Sequence, residues 1–294
     1  MASDSLEPDY RPRVAGALAT RFLPGTGIEI VSTSKSTRPP RYALFDFDGT
    51  LSLIREGWPE IMIPMMVRIL ADTGTSESEA ELTRCVNDFV MELTGKQTIY
   101  QMIRLATEVK RRGGSPRDPN EYKQQYHDAL MERIRSRRDA LASGAMPADA
   151  MLVPGSVELL ASLRDRGVTL YLASGTDESY VKEEVALLGL DKYFGPHVYG
   201  AIDDYKNFSK AMVIERILSE NRVEGELLVG FGDGYVEIDN VKAVGGTAVA
   251  VASDETNRSG KPDPWKRERL IGVGADIVIG DYREHRPLLD YLWA

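Results

Sequence analysis

The stretch Phe45-Asp46-Phe47-Asp48-Gly49-Thr50-Leu51, which follows the apolar run Tyr42-Ala43-Leu44, decides the fold of this chain. Residues i and i+2 of a strand point the same way, so Asp46 and Asp48 share a face only while the chain stays extended through both. Gly49 and Thr50 mark the end of the strand. Two acids at the carboxyl end of a buried strand stand where an open α/β sheet keeps its ligand crevice, and anions that close call for a cation. A metal-dependent site is the first expectation.

Downstream of that stretch the texture is helical. From Ile61 onward apolar residues recur at helical spacing, with Leu82, Cys85, Val86, Phe89, Val90 and Leu93 on one face and Gly95 as a stop. Ile99, Met102, Ile103 and Ala106 predict a further helix. After the breaker stretch Gly113-Gly114-Ser115-Pro116, a long pattern runs through Tyr122, Tyr126, Leu130, Ile134 and Leu141. From Leu152 the pattern changes to short apolar or β-branched runs, Val168–Ala173, His197–Ile202, Leu227–Phe231, Thr247–Ala252 and Asp276–Ile279. Amphipathic helices separate them, such as the one carrying Val181, Val185 and Leu188. Strands alternating with helices imply a parallel sheet. The expected fold class is α/β: a Rossmann-like parallel-sheet core of residues 40–54 and 152–294, with an all-helical cap, residues 55–151, inserted after the acidic strand. Residues 1–39, rich in Pro, Ser, Thr and Gly, read as an extension draped on the core, with one β-like run at Ile28–Val31.

Three more segments end a strand or open a helix and carry chemistry. Ser174-Gly175-Thr176 offers a hydroxyl and a close backbone approach to a phosphate. Ser209 and Lys210 open the helix before the fourth core strand, and Lys206 stands four residues earlier as the alternative lysine. Gly230-Phe231-Gly232-Asp233-Gly234-Tyr235-Val236-Glu237 ends that strand with acids four residues apart. Taken in this order the four segments resemble the haloacid dehalogenase superfamily, phosphatase branch, with a helical C1-type cap, over about residues 40–280. The resemblance implies that Asp46 attacks phosphorus and becomes an aspartyl-phosphate, while Asp48 protonates the leaving oxygen and then activates water. It implies Mg2+ held by the Asp46 side chain, the Asp48 backbone carbonyl and Asp233, a set of hard oxygens suited to that ion. Glu237 stands where many members carry a second aspartate and is expected to support the metal from one shell out. Ser174, Gly175 and Lys210 would bind the transferring phosphoryl group.

The expected function is a magnesium-dependent phosphatase acting on a small phosphorylated metabolite, with a sugar phosphate as one candidate. A phosphomutase of the β-phosphoglucomutase type is the alternative. Dehalogenation fits less well because Asp48 is present, and a noncatalytic phosphate-ligand binder leaves the acid set unexplained. Arg55 and Lys96, at the start of the cap and in its polar Gly95–Thr98 link, are candidate substrate contacts. Trp58 and Met62, Met65 and Met66 read as cap packing, and Asp177 as a helix N-cap. Asp239 reads as a surface acid. His127, His197 and His285 lack zinc-ligand spacing.

Composition narrows the partners. A formal net charge of −9 argues against nonspecific nucleic-acid binding, and 43% hydrophobic residues over 294 positions supply a real core. Cys85, the single cysteine, cannot form an intramolecular disulfide and reads as packing. No stretch has the pattern of a membrane span or a secretory signal, so the expected setting is the cytoplasm, without membrane partners.

Overall fold

The computed structural model describes residues 9–13, 19–32, 38–202 and 204–294. Two short strands, β1 (Arg21–Phe22) and β2 (Glu29–Ile30), precede β3 (Tyr42–Phe45). Four helices follow: α1 (Pro59–Ala71), α2 (Glu79–Leu93), α3 (Thr98–Arg111) and α4 (Pro119–Ala142). The chain then alternates through α5 (Ser156–Asp165), β4 (Thr169–Asp177), α6 (Glu178–Leu187), α7 (Asp191–Phe194) and β5 (Val198–Ala201). It ends with α8 (Lys210–Asn221), β6 (Leu228–Gly232), α9 (Tyr235–Ala243), β7 (Thr247–Val251), α10 (Pro264–Gly272), β8 (Ile277–Ile279) and α11 (His285–Trp293).

One eight-stranded sheet runs in the order β1-β2-β8-β7-β6-β3-β4-β5. From β8 to β5 every pairing is parallel, and β1 and β2 add antiparallel at the β8 edge. β3, β6, β7 and β8 are wholly buried, which explains why they read as continuous apolar runs rather than alternating ones. The β-like run expected at 28–31 is β2, so part of the N-terminal extension completes the sheet. From β3 the chain builds β4 and β5 on one side, then returns to place β6 on the other. That reversal opens a crevice beyond the carboxyl ends of β3, β4 and β6, the place where doubly wound sheets bind ligands.

The helical block α1–α4 enters and leaves the core through two short segments that pair with each other. Ser52 bridges to Leu152, Leu53 N–H donates to the Met151 carbonyl at 2.9 Å, and Val153 N–H to the Leu51 carbonyl at 2.9 Å. Local sequence sets the ends of these helices. Ser78 and Glu81 form a reciprocal capping box at the start of α2, and Asp118 caps α4 just ahead of Pro119. Met62, Met66, Val86, Phe89, Leu105, Tyr122 and Ile134 are buried in the block. Among the described residues no helix is long and apolar enough to cross a membrane.

Candidate active site

β3 ends at Phe45, yet Asp46 N–H still reaches the Phe231 carbonyl of β6 at 2.9 Å. The chain then turns sharply: the N–H groups of Thr50, Leu51 and Ser52 all converge on the Phe47 carbonyl. Asp46 and Asp48 therefore do not share one extended face. The turn requires Gly49, whose φ is +72° and where a Cβ would lie 2.2 Å from Asp233 Oδ2.

Asp46 is buried and accepts from Lys210 Nζ at 2.9 Å; that ammonium also contacts the Glu237 carboxylate. Asp48 faces the other way. Its Oδ2 accepts from the Thr176 hydroxyl at 2.8 Å, and its Oδ1 lies 3.7 Å from Arg55 Nε. Asp233, at the end of β6, accepts from Thr50 Oγ1 at 3.2 Å and from Lys266 Nζ at 2.8 Å. Lys266 also holds Glu255 at 2.7 Å. Burial foremost pushes the Asp46 carboxyl up to about 7, with Lys210 opposing and Asp233 adding to the rise. Burial likewise lifts Asp48 to about 6, against the pull of Arg55. Lys266 is raised despite its burial, because Asp233 and Glu255 stabilise its charge.

A cavity of about 110 Å³ joins these groups, far more than one water needs and enough for a small ester. Asp46, Asp48, Ser174, Gly175, Lys210 and Asp233 line it from the core; Trp58, Met62, Lys96, Gln101 and Tyr126 line it from the helical block. The link between α2 and α3 rests directly on the core: a Cβ on Gly175 would lie 2.9 Å from the Lys96 carbonyl, and one on Gly234 would lie 2.9 Å from Gly95 Cα. Gln97 Nε2 donates to the Phe208 carbonyl at 2.8 Å.

Asp46, Asp48, Ser174, Gly175, Lys210 and Asp233 thus come together. Lys206 sits on an exposed turn with its ammonium 6.0 Å from the Tyr205 ring centre, whereas Lys210 is buried on Asp46. Glu237 reaches the site through Lys210. Lys96 borders the cavity, and its ammonium pairs with Asp9 at 2.7 Å. Arg55 is neither exposed nor paired with its neighbour Glu56; it grips Glu184 through two hydrogen bonds. Trp58 and Met62 line the cavity as well as packing the helical block. Asp177 occupies the N-cap position of α6 but makes no side-chain cap, pairing instead with Lys123 of α4. Asp239 is ion-paired with Arg13 of the N-terminal segment rather than solvated.

Sequence reasoning missed Glu184, Glu255 and Lys266. Glu184 had a signal: it falls on the apolar stripe of α6 with Val181 and Val185, where an acid must find a partner. Glu255 and Lys266 follow β7, at the same carboxyl edge of the sheet as the acids.

Six carboxylates (Asp46, Asp48, Glu184, Asp233, Glu237 and Glu255) share the three cations Lys210, Arg55 and Lys266. The surplus of hard oxygen donors, and the closeness to Asp233 that Gly49 alone permits, fit a small divalent cation. Among the described residues no three acid, His or Cys side chains form a complete ligand set, so such an ion would need a backbone oxygen as well.

Residues 40–245 match the model of the haloacid dehalogenase-like hydrolases. No curated protein matches the chain in sequence. Its fold is similar to that of a predicted phosphoglycolate phosphatase from Haemophilus somnus, with TM-score 0.55, 16% identity, and coverage of 86% of this chain and 99% of that one. A β-phosphoglucomutase from Clostridium difficile gives 0.57 and 12%, covering 86% and 97%. A hydrolase of the same family from Deinococcus radiodurans, solved with bound phosphate and sodium, gives 0.51 and 19%, covering 86% and 96%.

Proposed function

Because this chain belongs to the haloacid dehalogenase-like hydrolase family, we propose that it is a magnesium-dependent phosphatase that hydrolyses a small phosphorylated metabolite through an aspartyl-phosphate. The observation that carries this reading is the division of the acid pair: Asp46 turned to Lys210, Asp48 turned to Thr176 and Arg55, both bordering one cavity. The Asp46 and Asp233 side chains and the Asp48 backbone carbonyl would hold Mg2+, which supplies charge neutralisation for the transferring phosphoryl oxygens.

In the first step an Asp46 carboxylate oxygen bonds to phosphorus as the ester bond breaks, and Asp48 gives its proton to the departing oxygen. In the second, water attacks the aspartyl-phosphate while Asp48 takes the proton, releasing phosphate and restoring Asp46. Lys210 and Ser174 hold the phosphoryl oxygens, and Glu237 keeps the Lys210 ammonium beside Asp46.

A screen of sugar phosphates, nucleotides and phosphorylated acids with Mg2+ tests the reading through phosphate release. Asp46→Asn should lower turnover by more than about 10³-fold with an unchanged circular dichroism spectrum; full activity in that variant refutes the assignment. The likeness to a β-phosphoglucomutase supports a second reading, transfer of the phosphoryl group back to a sugar. Isomerised sugar phosphate in place of free phosphate would select it.

A further inference from the structure

Arg55 and Glu184 form a charged pair for which stability is a poor explanation. Glu184 is fully buried, and Arg55 is 5% exposed. Arg55 Nε and Nη2 donate to the two Glu184 oxygens at 3.0 and 2.9 Å. Removing two charges from water costs several kcal/mol each, and apolar replacements for such pairs are often neutral or stabilising. Something other than stability is served by it.

The pair joins two parts of the molecule at the acid. Arg55 lies on the segment leading from the β3 turn into α1, whereas Glu184 belongs to α6 of the core, with Tyr180 one turn earlier and its ring 5.7 Å from the guanidinium. Asp48 lies beside the same Nε that donates to Glu184. Thr176 occupies Asp48 Oδ2, and Arg55 Nε stands 3.7 Å from Oδ1, too far for a hydrogen bond. Asp48 Oδ1 is buried with no hydrogen-bond partner among the described residues. One oxygen of this carboxyl is therefore fixed by Thr176 and the other is held beside Arg55 by charge alone, while the side chain as a whole borders the cavity.

We propose that Arg55 and Glu184 are positioning residues, a fork fixed to α6 that holds the Asp48 carboxyl at the cavity, toward the leaving group, when the helical block sits on the core. This inference rests on the reading of Asp48 as the proton donor. Glu184 takes the Nε and Nη2 donors of the guanidinium, and Arg55 also borders the cavity, so proton delivery and substrate affinity must be separated by measurement. A role in proton delivery predicts a change that depends on the leaving group, whereas a role in affinity does not.

The test compares an alkyl phosphate turned over in the screen with p-nitrophenyl phosphate, whose departing oxygen needs no proton. kcat/KM is the readout because it stops at the first irreversible step and omits hydrolysis of the aspartyl-phosphate. Glu184→Gln should lower the ratio of alkyl to nitrophenyl kcat/KM by about 10²-fold, the lower end of a general acid's contribution. The double variant Arg55→Met, Glu184→Met removes both charges of the pair together and, with an unchanged circular dichroism spectrum, should lower the ratio equally. Asp48→Asn is the reference and should lower it at least as far. An unchanged ratio in both pair variants, with a lowered one in Asp48→Asn, would overturn the positioning role. An unchanged ratio in Asp48→Asn would overturn the proton-donor reading itself. Arg55→Lys raising KM for both esters at constant ratio would make Arg55 a substrate contact and overturn the inference.

Discussion

Asp46 and Asp48 are two positions apart in sequence and meet opposite surroundings because the chain turns at Phe47. The turn depends on Gly49. Gly49→Ala forces a left-handed backbone on a Cβ residue, at about 1–2 kcal/mol, and drives that Cβ into Asp233. Activity should therefore fall much further than stability, which paired urea-unfolding and phosphate-release measurements would show. Lys210 carries the other residue-scale prediction. Lys210→Met leaves Asp46 and Glu237 buried without their shared cation, so it should cost about 3–5 kcal/mol unless the carboxyls take up protons. Destabilisation of that variant should accordingly shrink as the pH of a thermal melt is lowered from 8 to 5.

At the scale of elements, sequence periodicity found every strand of the parallel sheet, because strands buried on both faces must be apolar throughout. Their ends were less legible. β4 runs to Asp177, past the cavity-lining Ser174 and Gly175, since pairing with β5 resumes there after an irregularity. The contact between α4 and α6 was invisible in sequence because it joins residues some fifty positions apart. There His127 lies against Tyr180 with ring centres 5.0 Å apart, and its Nδ1 is 3.6 Å from Asp177. Burial lowers His127 to about 4, with Asp177 opposing and Arg55 and Lys123 adding to the drop. The unfolded chain binds a proton here below about pH 6.5, whereas the folded one does so only near 4. Stability from this group is therefore whole above pH 6.5 and is lost as pH falls toward 4, by about 2–3 kcal/mol. His127→Gln should flatten that part of the profile, read as the difference between variant and wild-type urea midpoints at pH 7 and 4.5.

At the scale of the whole molecule, the N-terminal segment ties the helical block to the core. Asp9 holds Lys96 on the α2–α3 link; Tyr10 stacks with Arg269, 3.9 Å from its ring centre, and Arg13 reaches Gly272 and Asp239. Asp9→Ala should lower the melting temperature measurably, since the Lys96 side chain is 1% exposed and loses a carboxylate that faces it. Faster hydrogen exchange at residues 94–98 should reveal a loosened link. Mg2+ at about a hundredfold its dissociation constant should stabilise the chain by about 2.7 kcal/mol, and Asp233→Asn should remove that gain. By itself the sequence determined the α/β core, the helical insertion and the four chemical segments, because burial period and turn chemistry are local and leave a mark on neighbouring residues. The partners of those segments were decided only by the tertiary structure. Glu184 beneath Arg55, Lys266 on Asp233 and Asp9 on Lys96 are charges matched across the fold, and an ion pair between distant residues has no periodicity to read.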